Sequence, residues 1–145
     1  MILNAKDLIL DEKYYNQILD LYSIFTKFDK LIMTFNRLKN IFENLPENHI
    51  IKFYLDEENN IIAAITLIIE QKIIHNGQCV CHIEDFVVLE KEQHKGIGAL
   101  LLEHVSQIAK QKNCYKVILD CHPILENYYI KKGFSRKGNN MGLYF

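Results

Sequence analysis

Little in this sequence falls outside the ordinary globular range. It has no tryptophan, only two prolines and six glycines in 145 residues, and no repeat, linker or low-complexity segment. With 49% hydrophobic and 24% charged residues, it excludes disordered and fibrous classes and fits one compact domain over residues 1–145. It also lacks an excess of one charge. The formal net charge is -1, so the concentrated Lys and Arg that grip polymer phosphate are missing and no nucleic-acid partner is expected. A small phosphorylated ligand needs only a few donors and stays admissible.

Long apolar runs are absent as well. No stretch approaches the ~18 uncharged apolar residues of a membrane span, and the opening MILNAKDLILDEKYY is acidic where a signal peptide would be basic. A soluble, cytoplasmic protein is expected. Cys79, Cys81, Cys114 and Cys121 fit reduced thiols in apolar strands. Cys79, Cys81 and His82 have no second, matching pair of ligands, because Cys114 and Cys121 do not repeat the spacing. No metal is expected.

The patterns that are present read in order. Apolar residues recur at three and four over about 12–26 (Tyr15, Ile18, Leu19, Tyr22, Phe25) and 34–45 (Phe35, Leu38, Ile41, Phe42, Leu45), which predicts two amphipathic helices, the second stopped by Pro46. IIKFYLD and IIAAITLIIEQKII flank EENN as a hairpin. A turn at His75-Asn76-Gly77 leads into the strand VCHIEDFVVLE. Next come Gly96-Ile97-Gly98 and a helix with Ile97, Leu101, Val105, Ile108 and Ala109 on one face. The strand KVILDC, a short helix with Tyr128, Tyr129 and Ile130, a stop at Gly133 and a final extended segment complete the chain. The order predicts an α/β (α+β) domain with a mixed, mostly antiparallel sheet flanked by helices.

The sharpest local feature is Gln93-His94-Lys95-Gly96-Ile97-Gly98 at a helix entrance. Helix starts carry unpaired N–H groups and partial positive charge, and glycine admits a phosphate close to the backbone. Gly-x-Gly alone equally describes a plain tight turn. It lacks the Gly-Lys-Ser/Thr ending of a P-loop and the third glycine of the dinucleotide fingerprint.

Gln/Arg-x-x-Gly-x-Gly/Ala after an apolar strand resembles the pyrophosphate signature of the GNAT acetyltransferases. The combination of KIIH, HIED and CYKVILDC, with YYIKKGF following in register, is similar to glucosamine-6-phosphate N-acetyltransferases from about Ala63 to Phe134. The resemblance implies direct attack of the sugar amine on the thioester of acetyl-CoA, through a tetrahedral oxyanion. It places the oxyanion donors near Phe86, Val87 and Val88, and the cofactor pyrophosphate on backbone N–H groups from His94 through Lys95, Gly96, Ile97 and Gly98 to Ala99, after Gln93. It puts the pantetheine arm beside Val88. It implies Tyr129 as the acid for the leaving thiolate, with packing as the ordinary alternative and as the reading for Tyr128. Amine attack needs a proton acceptor. Glu84, Asp85 and a water relayed through backbone carbonyls near Leu119 and Asp120 are all candidates. Strict strand alternation would turn only one of the two carboxylates into the cleft.

For glucosamine 6-phosphate the likeness points to Lys72, His75 and Thr26, with Glu84, Asp85 and Asp120 near the sugar. It also implies a homodimer joined through the last strand. An exposed lysine, a turn residue and a helix-end hydroxyl are the plain alternatives for Lys72, His75 and Thr26. Three departures stand out. His94 occupies the first cradle glycine and is expected at negative φ. Leu125 replaces an asparagine. The closing arginine has no counterpart in MGLYF, where Arg136 or Lys137 would substitute. The rival readings are a GNAT enzyme for another amine, and a silent acyl-CoA-binding domain.

Overall fold

The computed structural model describes residues 1–138 and 140–144. Five strands, β1 (Ile2–Asn4), β2 (His49–Leu55), β3 (Ile61–Gln71), β4 (Cys79–Val88) and β5 (Cys114–Leu119), form one sheet in the order β1-β2-β3-β4-β5. The first three pairings are antiparallel and β4–β5 is parallel. Four helices flank them: α1 (Glu12–Tyr22), α2 (Phe35–Glu43), α3 (Ile97–Gln111) and α4 (Glu126–Ile130).

Local chemistry sets the helix starts. The Asp11 side chain accepts from Tyr14 N at 2.8 Å, and the Thr34 hydroxyl accepts from Arg37 N at 3.2 Å, each satisfying a donor of a first turn. α1 ends at Tyr22, earlier than its periodicity suggests. The Ser23 hydroxyl donates to Asp20 O at 2.6 Å there, drawing off a carbonyl of the last turn. The Asp56–Asn60 turn is closed by one carboxylate, as Asp56 Oδ1 accepts from Glu58 N and Asn60 N, and Asn59 takes φ 58°. Those bonds hold the Asp56 carboxyl below its ordinary value.

The sheet separates two cores. Leu21, Leu38, Phe42, Phe53, Leu55 and Ala64 pack under α1 and α2. Ile65, Leu67, Cys81, Leu101, Val105 and Tyr129 pack under α3 and α4. β3 is buried on both faces from Ile61 to Leu67, which explains its near-continuous apolar run.

Three expectations change. The short β1 pairs with β2 and has no counterpart in the sequence reading. No strand follows α4 among the described residues, and Met141, Leu143 and Tyr144 are 93%, 81% and 94% exposed. Cys121 is exposed after the end of β5 rather than in a strand, while Cys81 is fully buried, with its thiol pushed up to about 12 by burial and by Cys114.

Candidate active site

The site begins where two strands part. β4 and β5 pair from Cys79↔Cys114 to Ile83↔Leu119 and no further, while β4 continues to Val88 beside β3. Beyond Ile83, β4 therefore has no ladder partner on its β5 side, leaving backbone groups at Phe86 and Val88 for another occupant. Among the described contacts, the Gln93 side chain donates to Val88 O at 3.1 Å.

A bulge accompanies the parting. The register on β3 moves from Ala64↔Val87 to Thr66↔Glu84, so β4 carries one extra residue there, and Asp85 has φ 45°. The expectation of strict alternation fails for this reason. Glu84 and Asp85 are both exposed. Glu84 shares the face of its partner Thr66, and Asp85 lies close enough to Tyr22 of α1 for its charge to raise the Tyr22 pKa. Glu84 and Asp85 thus both stand exposed at the bulge, next to the point where β4 and β5 part.

Tyr22 and Thr66 were not singled out as site residues from sequence. Thr66 is only 4% exposed and is the one hydroxyl in an otherwise apolar stretch, a signal that was available. Tyr22 was counted merely as part of an apolar helix face. Burial pushes its phenol up to about 12, the facing Thr66 hydroxyl pulls the other way, and the Asp85 charge adds to the rise. The Asp85 carboxylate therefore stands near the Tyr22 and Thr66 hydroxyls.

The cradle lies just downstream. Gln93, His94, Lys95 and Gly96 are exposed, and Ile97, Gly98 and Ala99 open α3. His94 has φ 64° and Gly96 φ 85°. The expectation of a negative φ at His94 is therefore wrong. The turn needs the left-handed region at both positions, and histidine is among the side chains found there more often than most. Lys95 Nζ pairs with Glu92 Oε2 at 2.9 Å.

Tyr129 is buried, edge-on to Tyr128 and to Phe134, with ring centroids 5.2 and 5.7 Å apart. Burial, with smaller contributions from Cys121 and Tyr128, pushes its phenol up to about 12. It is a proton donor at neutral pH. Cys121 and Asp120 follow the end of β5, at the other lip of the parting.

The residues expected to hold phosphate stand farther away. Lys72 follows Thr66 by six residues, roughly 20 Å at strand spacing. Its ammonium pairs with Glu70, whose other oxygen lies 2.8 Å from His82 Nε2, and Lys72 first and His82 second hold the Glu70 carboxyl below its ordinary value. His75 stacks on Tyr115 at 3.9 Å in a turn where His75, Asn76 and Gly77 all take left-handed φ. Thr26 is exposed in the segment after α1. The monomer gathers Glu84, Asp85 and the cradle around the parted strands, and leaves Lys72 and His75 at the far end of the hairpin.

Comparison with known proteins follows the same outline. The model of the Acetyltransferase (GNAT) family matches residues 15–134. A glucosamine 6-phosphate N-acetyltransferase of Candida albicans is 33% identical over 129 residues, covering 88% of this chain and 87% of that protein. One from Dictyostelium discoideum is 37% identical, covering 83% and 74%. A probable rice enzyme of the same name is 40% identical over 70% of this chain, which spans 63% of the rice protein. The crystal structure of glucosamine-6-phosphate N-acetyltransferase from Arabidopsis thaliana superposes with a TM-score of 0.84 at 27% identity, covering 100% of this chain and 97% of that one. With its parted strands, bulge and glycine cradle in the matched region, the chain belongs to the GNAT family of acetyltransferases, whose acetyl donor is acetyl-CoA.

Proposed function

We propose that this chain transfers the acetyl group of acetyl-CoA to the amine of D-glucosamine 6-phosphate, giving N-acetyl-D-glucosamine 6-phosphate and CoA, a step toward UDP-N-acetylglucosamine in the cytoplasm. The observation that supports the reading is the bulge in β4, where Glu84 and Asp85 are both exposed next to the parting of the strands. The acceptor amine enters there. One of the two carboxylates, or water beside Asp120, takes its proton, backbone N–H groups near Phe86–Val88 face the developing oxyanion, and Tyr129 protonates the departing sulfur. The cradle from Gln93 to Ala99 fits the cofactor's pyrophosphate: its donors open a helix of 15 residues, and Gly98 adds no side chain of its own to the first turn.

A homodimer belongs to this proposal. Roughly 20 Å of strand between Thr66 and Lys72 exceeds the span of a hexose phosphate. Lys72 and His75 therefore serve the phosphate only from a second copy, and the exposed apolar closing segment supports that association. Thr26 acts from the near side, and Arg136 or Lys137 takes over from the missing arginine.

A second reading, an acetyltransferase for another amine, is favoured by one observation: Lys72 is already neutralised by Glu70. Release of free CoA thiol from acetyl-CoA, with glucosamine 6-phosphate, glucosamine and other amines compared, tests both. Selective turnover of the phosphosugar supports the first; turnover of a different amine removes that substrate and keeps the fold.

A further inference from the structure

Gly98 is not required by backbone conformation, since it lies within regular α3 and is not among the positive-φ residues. Space is what requires it. A Cβ at this position would stand 2.7 Å from the Tyr128 hydroxyl oxygen and 3.5 Å from the Phe86 ring. Tyr128 thus reaches from α4 across to the first turn of α3 and rests its phenol on the cradle, beside the strand whose ladder has just parted. Its neighbour Tyr129 instead turns into the core.

Two further observations bear on that phenol. Tyr128 is only half-buried, and among the described residues its hydroxyl has no hydrogen-bond partner, unlike that of Tyr15, which donates to Met33 O at 2.7 Å. A partly buried tyrosine hydroxyl ordinarily finds one. Lys132 Nζ also lies 6.0 Å from the Tyr128 ring centroid, adding positive charge near the ring. The hydroxyl stands at the partly positive start of α3, where an anion is the partner that suits both a donor and the helix end.

We propose that Tyr128 is a further cofactor-binding residue, whose hydroxyl donates a hydrogen bond to the pyrophosphate of acetyl-CoA on the start of α3, with Gly98 leaving room for both. The inference rests on the acetyl-CoA reading of the cradle. Burial raises the Tyr128 pKa, which keeps the group a donor, and the place of its hydroxyl beside Gly98 sets that donor at the first turn of α3.

The test compares wild type and Tyr128→Phe for binding of three molecules: CoA, 3′-dephospho-CoA and S-acetylpantetheine. The first two are titrated by calorimetry and the third, which has no pyrophosphate, by NMR. Loss of one charge-assisted hydrogen bond is expected to weaken CoA and 3′-dephospho-CoA by about tenfold and to leave S-acetylpantetheine unchanged. The phenylalanine ring retains the packing, so the unfolding midpoint is expected to stay at the wild-type value. Unchanged affinity for all three would make Tyr128 a packing residue. A loss confined to CoA would assign the bond to the 3′-phosphate, and an equal loss on S-acetylpantetheine would assign it to the arm, either of which overturns the proposal. A wild-type protein that binds none of the three overturns the cradle reading itself, a separate result.

Discussion

His94 and Gly96 take the same left-handed backbone in one short turn, at φ 64° and 85°, yet only one of them is glycine. Left-handed backbone costs a residue with a Cβ about 1–2 kcal/mol, and replacing glycine recovers about 0.4–1 kcal/mol by restricting the unfolded chain. Gly96→Ala isolates the balance, because an added Cβ there meets nothing within 4 Å. The substitution is expected to destabilise by about 0.5–1 kcal/mol, and His94→Gly to stabilise by a similar amount. The His94 side chain is exposed and has no hydrogen bond or ion pair among the described contacts, so little else is lost with it. Urea unfolding reads both free energies, and in chains near this length about 1 kcal/mol moves the thermal midpoint by roughly 2–4 °C. Destabilisation by His94→Gly, or stabilisation by Gly96→Ala, would refute the argument that backbone conformation decides these positions.

Other outcomes follow from the site. Tyr129→Phe is expected to lower kcat by about 10²–10⁴ while leaving acetyl-CoA affinity near wild type, and an unchanged rate would remove the phenol from the reaction. Tyr22 and Tyr129 hold protons up to about 12 in the fold, against 10.0 for the free side chain. The folded state then binds more protons than the unfolded one, so this stability is whole below pH 10 and is lost as pH rises from 10 to about 12. Tyr22→Phe should flatten the fall in urea midpoint across that window; an identical slope would contradict the assignment. Lys72→Ala should mainly raise KM for the phosphosugar, whereas an equal effect with unphosphorylated glucosamine would exclude a phosphate contact. Glu70→Gln, which frees the same ammonium, should lower that KM.

Much of the chemistry was legible in the sequence because its signals are local. The apolar period of α1 and α2 and the run from Ile61 to Ile69 each specify an element through their own side chains. The cradle was legible for the same reason, since glycines before an apolar helix constrain their own backbone. Hidden from that reading were matters of register. Alternation along HIEDF implies opposite faces for Glu84 and Asp85, and only pairing with β3 shows the extra residue and the left-handed Asp85.

The sequence alone determined the element types, the helix start that suits an anion and the pair of carboxylates in the central strand, because each depends on spacing within a few residues. The tertiary structure decided which groups meet. It broke the alternation of Glu84 and Asp85 with a bulge, set Tyr22 and Thr66 near Asp85, laid Tyr128 on Gly98 and carried Lys72 to the far end of the hairpin. Those outcomes depend on strand register and on contacts between residues distant in the chain, which no local spacing encodes.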